Sequence, residues 1–147
     1  MLIQAAPEHA AVLAALHTLS FAAPWRAEEF DSLLRQPGVA AWIWNGDAPE
    51  GFIVVRAAAD EAEVLTLAVT PTKRRVGTAS NLLAHALDNL RAGGSVRIFL
   101  EVAADNVPAS ALYTRHGFAP CGRRAVYYGA GASGKPVDAI VMKCDLL

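Results

Sequence analysis

The chain has 147 residues, of which 54% are apolar and 18% are charged, and its formal net charge is −1. We expect one domain over residues 1–147, because this length is typical of a single core, and the apolar fraction excludes a disordered polymer. The small net charge argues against wholesale nucleic-acid binding, and no apolar run reaches the roughly 20 residues of a membrane helix.

The sequence also favours a cytoplasmic protein without a metal site. Its N-terminus lacks the basic segment and apolar run of a secretory signal. Two cysteines, Cys121 and Cys144, are too few for a disulfide framework and are typical of reduced thiols. The four histidines are scattered, without the close spacing of a zinc site.

Helices and strands alternate in the first half of the chain. Val12, Leu13, Leu16 and Leu19 recur at helical spacing, and the composition of Asn45–Gly51 predicts a turn. In chain order, we predict a strand at Leu2–Ala5, helices at Glu8–Ser20 and Ala27–Gln36, and strands at Val39–Trp44, Phe52–Arg56 and Glu63–Val69.

The second half begins with a helix that follows a basic turn and ends near Arg91, before two glycines. Apolar and polar residues then alternate over Val96–Val102, which predicts a strand with one buried face. Asn106 is a good N-cap for a helix over Val107–His116. We predict two final strands, Phe118–Tyr128 and Ala139–Cys144, separated by the Gly-rich loop Gly129–Pro136.

The order of these elements is β-α-α-β-β-β-α-β-α-β-β. Three consecutive strands favour antiparallel pairing, whereas the two later β-α-β passages favour parallel or mixed pairing. The sequence therefore predicts an α/β (α+β) fold, in which about four helices flank a mixed, mostly antiparallel sheet of six to seven strands.

A cationic turn, residues Arg74–Ala79, lies between a predicted buried strand and a predicted helix. Such a turn directs free backbone N–H groups at one point, where the helix dipole adds partial positive charge. Gly77 lets a phosphate approach the backbone closely. A basic turn without a ligand is the alternative. The candidate phosphate-binding residues are Arg74, Arg75, Val76, Gly77, Thr78 and Ala79.

The spacing in the cationic turn differs from that of a P-loop or a dinucleotide-binding fingerprint. Arg74-x-x-Gly77-x-Ala79 resembles instead the Arg/Gln-x-x-Gly-x-Gly/Ala signature of the GCN5-related N-acetyltransferase (GNAT) family. In that family the turn binds the pyrophosphate of acetyl-coenzyme A (acetyl-CoA), and the preceding strand splays from the next one and pairs with the pantetheine. The resemblance, which covers nearly the whole chain, implies the GNAT fold, acetyl-CoA as cosubstrate, and backbone contacts from Leu67 and Val69, whose side chains are free to pack in the core.

Acetyl transfer to an amine needs a base for the ammonium and an acid for the departing thiolate. Glu101 lies near the C-terminal end of an apolar strand, where open α/β sheets place their ligands. A solvated carboxylate paired with Arg97 is the alternative. Tyr113 lies on a helical stripe, and the ordinary phenol pKa of about 10 suits a leaving thiolate. A core tyrosine is the alternative.

The stretch that holds these two residues carries a more specific resemblance. It is similar to the motif Leu-Glu-Val…Asn…Ala-x-x-Leu-Tyr-x-x-x-Gly-Phe of the RimI-type acetyltransferases, and it runs here from Leu100 to Phe118. Those enzymes acetylate the N-terminal alanine of a small-subunit ribosomal protein. The resemblance implies Glu101 as base, Tyr113 as acid and cofactor contact, and Asn106 as a further cofactor contact.

Two flanking segments resemble the acceptor region of the same enzymes. Phe21-x-x-Pro24-Trp25 is similar to a Phe-Pro-Trp segment, although two alanines separate its first two residues, and an Arg-x-x-Tyr-Tyr segment ends at Tyr128. Aromatic residues packing on the sheet edge are the alternative. The resemblance implies that the acceptor is bound by Trp25, Tyr127 and Tyr128.

The hypothesis that follows is direct acetyl transfer from acetyl-CoA to the N-terminal α-amine of a ribosomal protein. One alternative is transfer to a small amine, such as a polyamine or an antibiotic, which acidic residues in 28–31 and 60–63 would attract. The other is an acetyl-CoA-binding module without catalysis. The sequence carries no signal of oligomeric state.

Overall fold

The computed structural model describes residues 1–74, 76–128 and 137–147, apart from the side chains of residues 126–128. Arg75 and the predicted loop Gly129–Pro136 therefore lie outside the described residues. A short 3-10 turn at Pro7–His9 precedes the first helix. In chain order the elements are β1 (Leu2–Gln4), α1 (Ala10–Thr18), α2 (Ala27–Leu34), β2 (Val39–Asn45), β3 (Pro49–Ala58), β4 (Glu61–Val69), α3 (Thr78–Ala92), β5 (Arg97–Ala103), α4 (Val107–Arg115), β6 (Ala119–Tyr128) and β7 (Val137–Asp145).

One seven-stranded sheet organises the described residues, in the order β1-β2-β3-β4-β5-β7-β6. The β4–β5 pair is parallel, and the other described pairs are antiparallel. Parallel neighbours require a crossover, and α3 supplies it. The predicted mixed, mostly antiparallel sheet with four flanking helices is confirmed.

Two separate hydrophobic cores lie on opposite faces of the sheet. On the α1/α2 face, α1 and α2 pack on β2, β3 and β4 around Phe30 and Phe52, whose ring centroids are 5.7 Å apart. On the α3/α4 face, α3 and α4 pack on the alternate residues of the same strands and of β5 and β7. The period-two alternation of β5 explains its place, since Ile98, Leu100 and Val102 are buried on this second face.

Two details of the sequence prediction were wrong. The turn predicted at Asn45–Gly51 is shorter, because cross-strand pairing extends β2 to Asn45 and starts β3 at Pro49. The predicted apolar position Leu19 is 57% exposed, because α1 ends one residue earlier. His17 takes the buried position on that helix instead.

The described part of the chain shows how the cysteines, the potential metal ligands and the helices are arranged. Cys121 and Cys144 lie on the neighbouring strands β6 and β7 as free thiols. No group of three or more His, Cys, Asp or Glu residues among these positions could hold a metal ion. Within the same ranges, every helix is too short or too polar to cross a bilayer.

Phe30 is the one buried residue of α2, so it anchors this short helix to the sheet. We expect Phe30→Ala to lower the free energy of unfolding by about 3–5 kcal/mol, because the change leaves a cavity against Phe52. Urea unfolding measures the loss. Leu19→Ala, at an exposed position, is the control, with an expected change within about 0.5 kcal/mol. A Phe30→Ala loss as small as that of the control would contradict the assignment of this anchor.

Candidate active site

The parallel strands β4 and β5 are paired over only part of their length. Their register comprises three residue pairs, from Glu61↔Arg97 to Glu63↔Phe99. From Val64 on β4 and Leu100 on β5 onward, the strands are unpaired with each other. We call this opening the β4–β5 gap, and it gives two strand edges without a shared hydrogen-bond ladder at the centre of the sheet.

The backbone of Leu67 and Val69 faces the β4–β5 gap. The N–H of Thr70 donates to the carbonyl of Glu50 on β3 at 2.8 Å. Because backbone groups alternate between the two edges of a strand, Val69 and Leu67 direct theirs away from β3. Their side chains pack in the core of the α3/α4 face, as expected for residues that contact a ligand through the backbone alone. Backbone exposure and side-chain packing therefore occur together at these positions.

The cationic turn opens directly into α3. Gly77 is the N-cap of α3 with a φ of 89°, and no side chain caps the helix there. A Cβ added at Gly77 would meet no described atom within 4 Å, so the space in front of this backbone is open. Val76 is 68% exposed, whereas Thr78 is buried and Ala79 packs against the core. The amides at the start of α3 are thus accessible for an anion.

Arg74 joins the cationic turn to the end of β4 and to the segment after α1. Its Nε donates to the carbonyl of Val69 at 3.1 Å, and its Nη2 donates to Ser20 Oγ at 3.2 Å. The Ser20 hydroxyl also donates to the Val69 carbonyl, at 3.4 Å. One arginine therefore holds together two segments that border the β4–β5 gap.

Glu101 lies on the α1/α2 face of β5, next to the gap. Its side chain is 27% exposed, and its Oε1 accepts a hydrogen bond from Arg124 Nη1 at 2.6 Å. The alternative pairing with Arg97 is wrong, because four residues along a strand span about 13 Å. Arg97 instead donates to Asp145 at 2.9 Å, across the β5–β7 register.

Tyr113 lies on the other face. It is 8% exposed in the core of the α3/α4 face, and its ring is 5.7 Å from that of Phe118 in an edge-to-face arrangement. The structure therefore places Glu101 and Tyr113 on opposite sides of the sheet rather than in contact. Asn106 caps α4 as predicted, because its Oδ1 accepts the N–H of Ala109 at 3.3 Å.

A hydrogen bond ties the start of α3 to the end of α4. Ser80 Oγ and His116 Nε2 are 2.7 Å apart. Burial, and secondarily the adjacent Arg115, lowers the pKa of His116, so its imidazole is neutral near pH 7. The helix that carries Tyr113 is thereby fixed relative to the cationic turn.

The segment before α2 is organised around a buried histidine. The Trp25 N–H donates to His17 Nδ1 at 3.0 Å, and the rings of Phe21 and Trp25 stack on the imidazole at 4.1 and 5.1 Å. Trp25 is half-buried and, with Glu28, Glu29 and neighbouring α2 residues, borders an open depression of about 410 Å³. The side chains of Tyr127 and Tyr128, the other predicted acceptor residues, lie outside the described residues.

Sequence reasoning missed four residues near the site. Arg124 and Ser20 make their contacts with distant segments, so local periodicity carries no signal for these contacts, although Arg124 begins the Arg-x-x-Tyr-Tyr segment. His17 stands at a buried helical position that the spacing of its neighbours could have indicated. Thr66 on β4 has a buried hydroxyl without a hydrogen-bond partner among the described residues.

These features fit a ligand with an anionic group and an extended, amide-bearing arm. The backbone of Leu67 and Val69 at the β4–β5 gap can bond amides as a neighbouring strand would, with the Val69 carbonyl already accepting hydrogen bonds from Arg74 and Ser20. The open backbone at Gly77 and the uncapped start of α3 suit a diphosphate.

Comparison with known proteins agrees with this geometry. A family model described as the acetyltransferase (GNAT) family matches residues 10–118. The ribosomal protein bS18-alanine N-acetyltransferase of Salmonella typhimurium is 32% identical over 119 residues, which are 81% of this chain and 79% of that protein. The protein of the same name from Escherichia coli K12 has the same identity and coverage.

Solved structures of acetyltransferases have a similar fold. The crystal structure of the ribosomal-protein-S18-alanine N-acetyltransferase from Escherichia coli has a TM-score of 0.88 and 27% identity, over 99% of this chain and 94% of that chain. Arabidopsis thaliana NAA60 in complex with acetyl-CoA has a TM-score of 0.80, over 99% of this chain and 97% of that chain. At 20% identity, the second likeness shows the fold alone.

The buried His17 predicts a pH dependence of stability. Burial lowers its pKa to about 4, against the partly opposing charge of Glu29. The unfolded chain binds this proton near pH 6.5, so stability is fully present above that pH and is lost as pH falls toward 4. The loss amounts to at most about 3 kcal/mol.

We expect the His17→Asn variant to show a flatter loss of stability over this window, since Asn does not titrate. Urea unfolding at pH 7, 6, 5 and 4 compares the slopes. His85→Asn, on the exposed side of α3, controls for the loss of one imidazole. Parallel curves for wild type and His17→Asn would contradict a neutral buried imidazole.

Proposed function

The chain belongs to the acetyltransferase (GNAT) family and is an N-acetyltransferase, and we propose that it acetylates the N-terminal alanine of a small-subunit ribosomal protein. The observation that carries the mechanism is the β4–β5 gap with Glu101 on one face and Tyr113 on the other. Relatives with 32% identity over 81% of the chain, named for that activity, support the acceptor.

Acetyl-CoA, when bound, supplies an activated acetyl group as a thioester. In this proposal the pyrophosphate is bound by Arg74, Arg75 and the backbone of residues 76–79. The backbone of Leu67 and Val69 orients the pantetheine, and Asn106 adds an amide contact beside its role as a cap. Orientation of this kind converts a bimolecular encounter into a nearly unimolecular step.

Glu101 serves as the base that takes a proton from the incoming ammonium. Tyr113 serves as the acid that donates a proton to the departing thiolate. The two act on different atoms, the acceptor nitrogen and the leaving sulfur, and their positions on opposite faces suit this division. The buried phenol of Tyr113 is shielded from bulk water, which would compete as a proton donor.

The positions of the two cysteines are consistent with direct transfer, without an acyl-enzyme intermediate. Cys144 is buried, and burial raises the pKa of its thiol, which disfavours the nucleophilic thiolate. Cys121 is exposed on β6, two strands from β5 and the gap. Neither cysteine lies on β4, β5 or α4, the elements that border the proposed reaction centre.

The acceptor peptide is proposed to lie near Trp25, Tyr127 and Tyr128. The open depression beside Trp25 suits an extended peptide better than a closed pocket would. A ribosomal acceptor places the reaction in the cytoplasm.

We expect Tyr113→Phe and Glu101→Gln each to reduce kcat with an alanine-starting peptide by about 10²–10³-fold, because each removes one proton transfer. Thiol release from acetyl-CoA measures turnover. Thr114→Ala, on the exposed side of α4, is the control. Unchanged turnover of Tyr113→Phe across pH would defeat the assigned acid.

The same assay separates the proposed function from its alternatives. Faster turnover with spermidine than with the peptide would favour a small-amine acetyltransferase. A thermal shift with acetyl-CoA, without thiol release over any amine, would indicate a binding module. We expect the alanine-starting peptide to be the preferred substrate.

Arg74→Gln tests the cationic turn. We expect the KM for acetyl-CoA to rise about tenfold with kcat changed less than threefold, because the variant removes one positive charge at the proposed phosphate site together with the hydrogen bonds to Val69 and Ser20. Lys73→Gln is the matched control, since Lys73 is paired with Glu50 at 3.6 Å. Equal effects of the two variants would argue against a specific phosphate contact by Arg74.

A further inference from the structure

One residue of α3 joins the candidate anion site to a second helix. Ser80 lies in the first turn of α3, before the hydrogen bond in which the Asn81 N–H donates to the Gly77 carbonyl at 2.9 Å. The Ser80 N–H therefore belongs to the backbone amides that the start of the helix leaves for an anion. The hydroxyl of the same residue is 2.7 Å from Nε2 of His116, the C-cap of α4.

His116 ends the helix that carries Tyr113. This helix has nine residues, and Tyr113 lies about one turn before His116. The His116 N–H donates to the Tyr113 carbonyl at 3.0 Å, and Cys144 Sγ of β7 donates to the His116 carbonyl at 3.7 Å. A displacement of His116 therefore displaces the backbone of the candidate acid as well.

We propose that Ser80 and His116 are positioning residues, which use the binding of the cosubstrate's phosphates to place Tyr113 for proton transfer. The proposal rests on the proposed function, in which Tyr113 is the acid. A phosphate bound to the Ser80 N–H fixes the first turn of α3, and the Ser80 hydroxyl then fixes the C-terminal turn of α4. Binding energy from a remote part of the cosubstrate is in this way used at the reacting centre.

The phosphates can be separated chemically from the reacting part of the cosubstrate. S-acetylpantetheine carries the thioester and the amide-bearing arm without the nucleotide. The ratio of kcat/KM for acetyl-CoA to kcat/KM for S-acetylpantetheine, at a saturating alanine-starting peptide, therefore measures what the nucleotide half contributes. A purely structural contact would support α4 equally with both cosubstrates and leave this ratio unchanged.

The test uses His116→Asn and His116→Gln as a matched pair. The amide of Gln reaches the place of the imidazole Nε2 and can bond Ser80 as donor or acceptor, whereas the amide of Asn reaches only the place of Nδ1. Ser80→Ala removes the hydroxyl from the other side of the contact and keeps the backbone N–H. Thr114→Ala is the control, because Thr114 Oγ1 donates to the Ser110 carbonyl at 2.8 Å within α4.

We expect His116→Asn and Ser80→Ala each to lower this ratio by about fivefold, the order expected for the loss of one hydrogen bond that couples two sites. His116→Gln and Thr114→Ala should keep the ratio within about twofold of wild type. Each ratio is taken within one variant, so a general loss of folded protein affects both of its terms equally. Equal losses with both cosubstrates, or a His116→Gln variant that behaves like His116→Asn, would overturn the proposal.

An exchange measurement separates this proposal from the proposed function. Amide hydrogen exchange of the C-terminal turn of α4, residues 113–116, is followed with and without 3′-phospho-ADP, the nucleotide half of CoA. We expect the nucleotide to slow this exchange by about fivefold in wild type and in His116→Gln, but by less than about twofold in His116→Asn.

The two failures are then distinguishable. Absence of acetyl transfer to any amine would defeat the proposed function, whereas the exchange measurement needs no turnover. Exchange in wild type that does not respond to 3′-phospho-ADP, or an equal response in His116→Asn, would refute the link through Ser80 and His116.

Discussion

The separation of β4 from β5 is the constraint on which the rest of the structure depends. A continuous parallel ladder would satisfy both edges, yet pairing stops after Glu63 and Phe99. The β-bulge opposite Val54 and Val55 lies where β4 leaves the pair, and bulges increase local twist. The sheet thereby keeps a crevice at its centre, where both hydrophobic cores meet an unpaired edge.

An unpaired strand edge at the centre of a sheet costs free energy, because buried backbone N–H and C=O groups need hydrogen-bond partners. Part of that cost is met inside the chain, because Arg74 and Ser20 both donate to the carbonyl of Val69. The remaining polar groups are those that a cosubstrate with an amide-bearing arm can satisfy. The same contacts connect the cationic turn to the segment before α2, so the two ends of the proposed reaction path share one set of hydrogen bonds.

The chemistry then follows from the two faces of the sheet. In the proposed mechanism, the buried phenol of Tyr113 on the α3/α4 face serves the leaving group, and the partly exposed carboxylate of Glu101 on the α1/α2 face serves the acceptor. On the α1/α2 face, the Glu101 carboxylate forms an ion pair with Arg124 of β6.

The sequence by itself determined most of the helices and strands and the fold class, and it supplied the proposed site positions. Local patterns can be recognised without knowing which distant residues are in contact. Examples are the period-two alternation in β5, the cap at Asn106 and the cationic turn. Only the tertiary structure decided which distant residues form hydrogen bonds and ion pairs with the site residues. Glu101 meets a residue 23 positions away rather than Arg97, because strand order and register, which sequence spacing does not encode, bring β6 across β7 to its side chain.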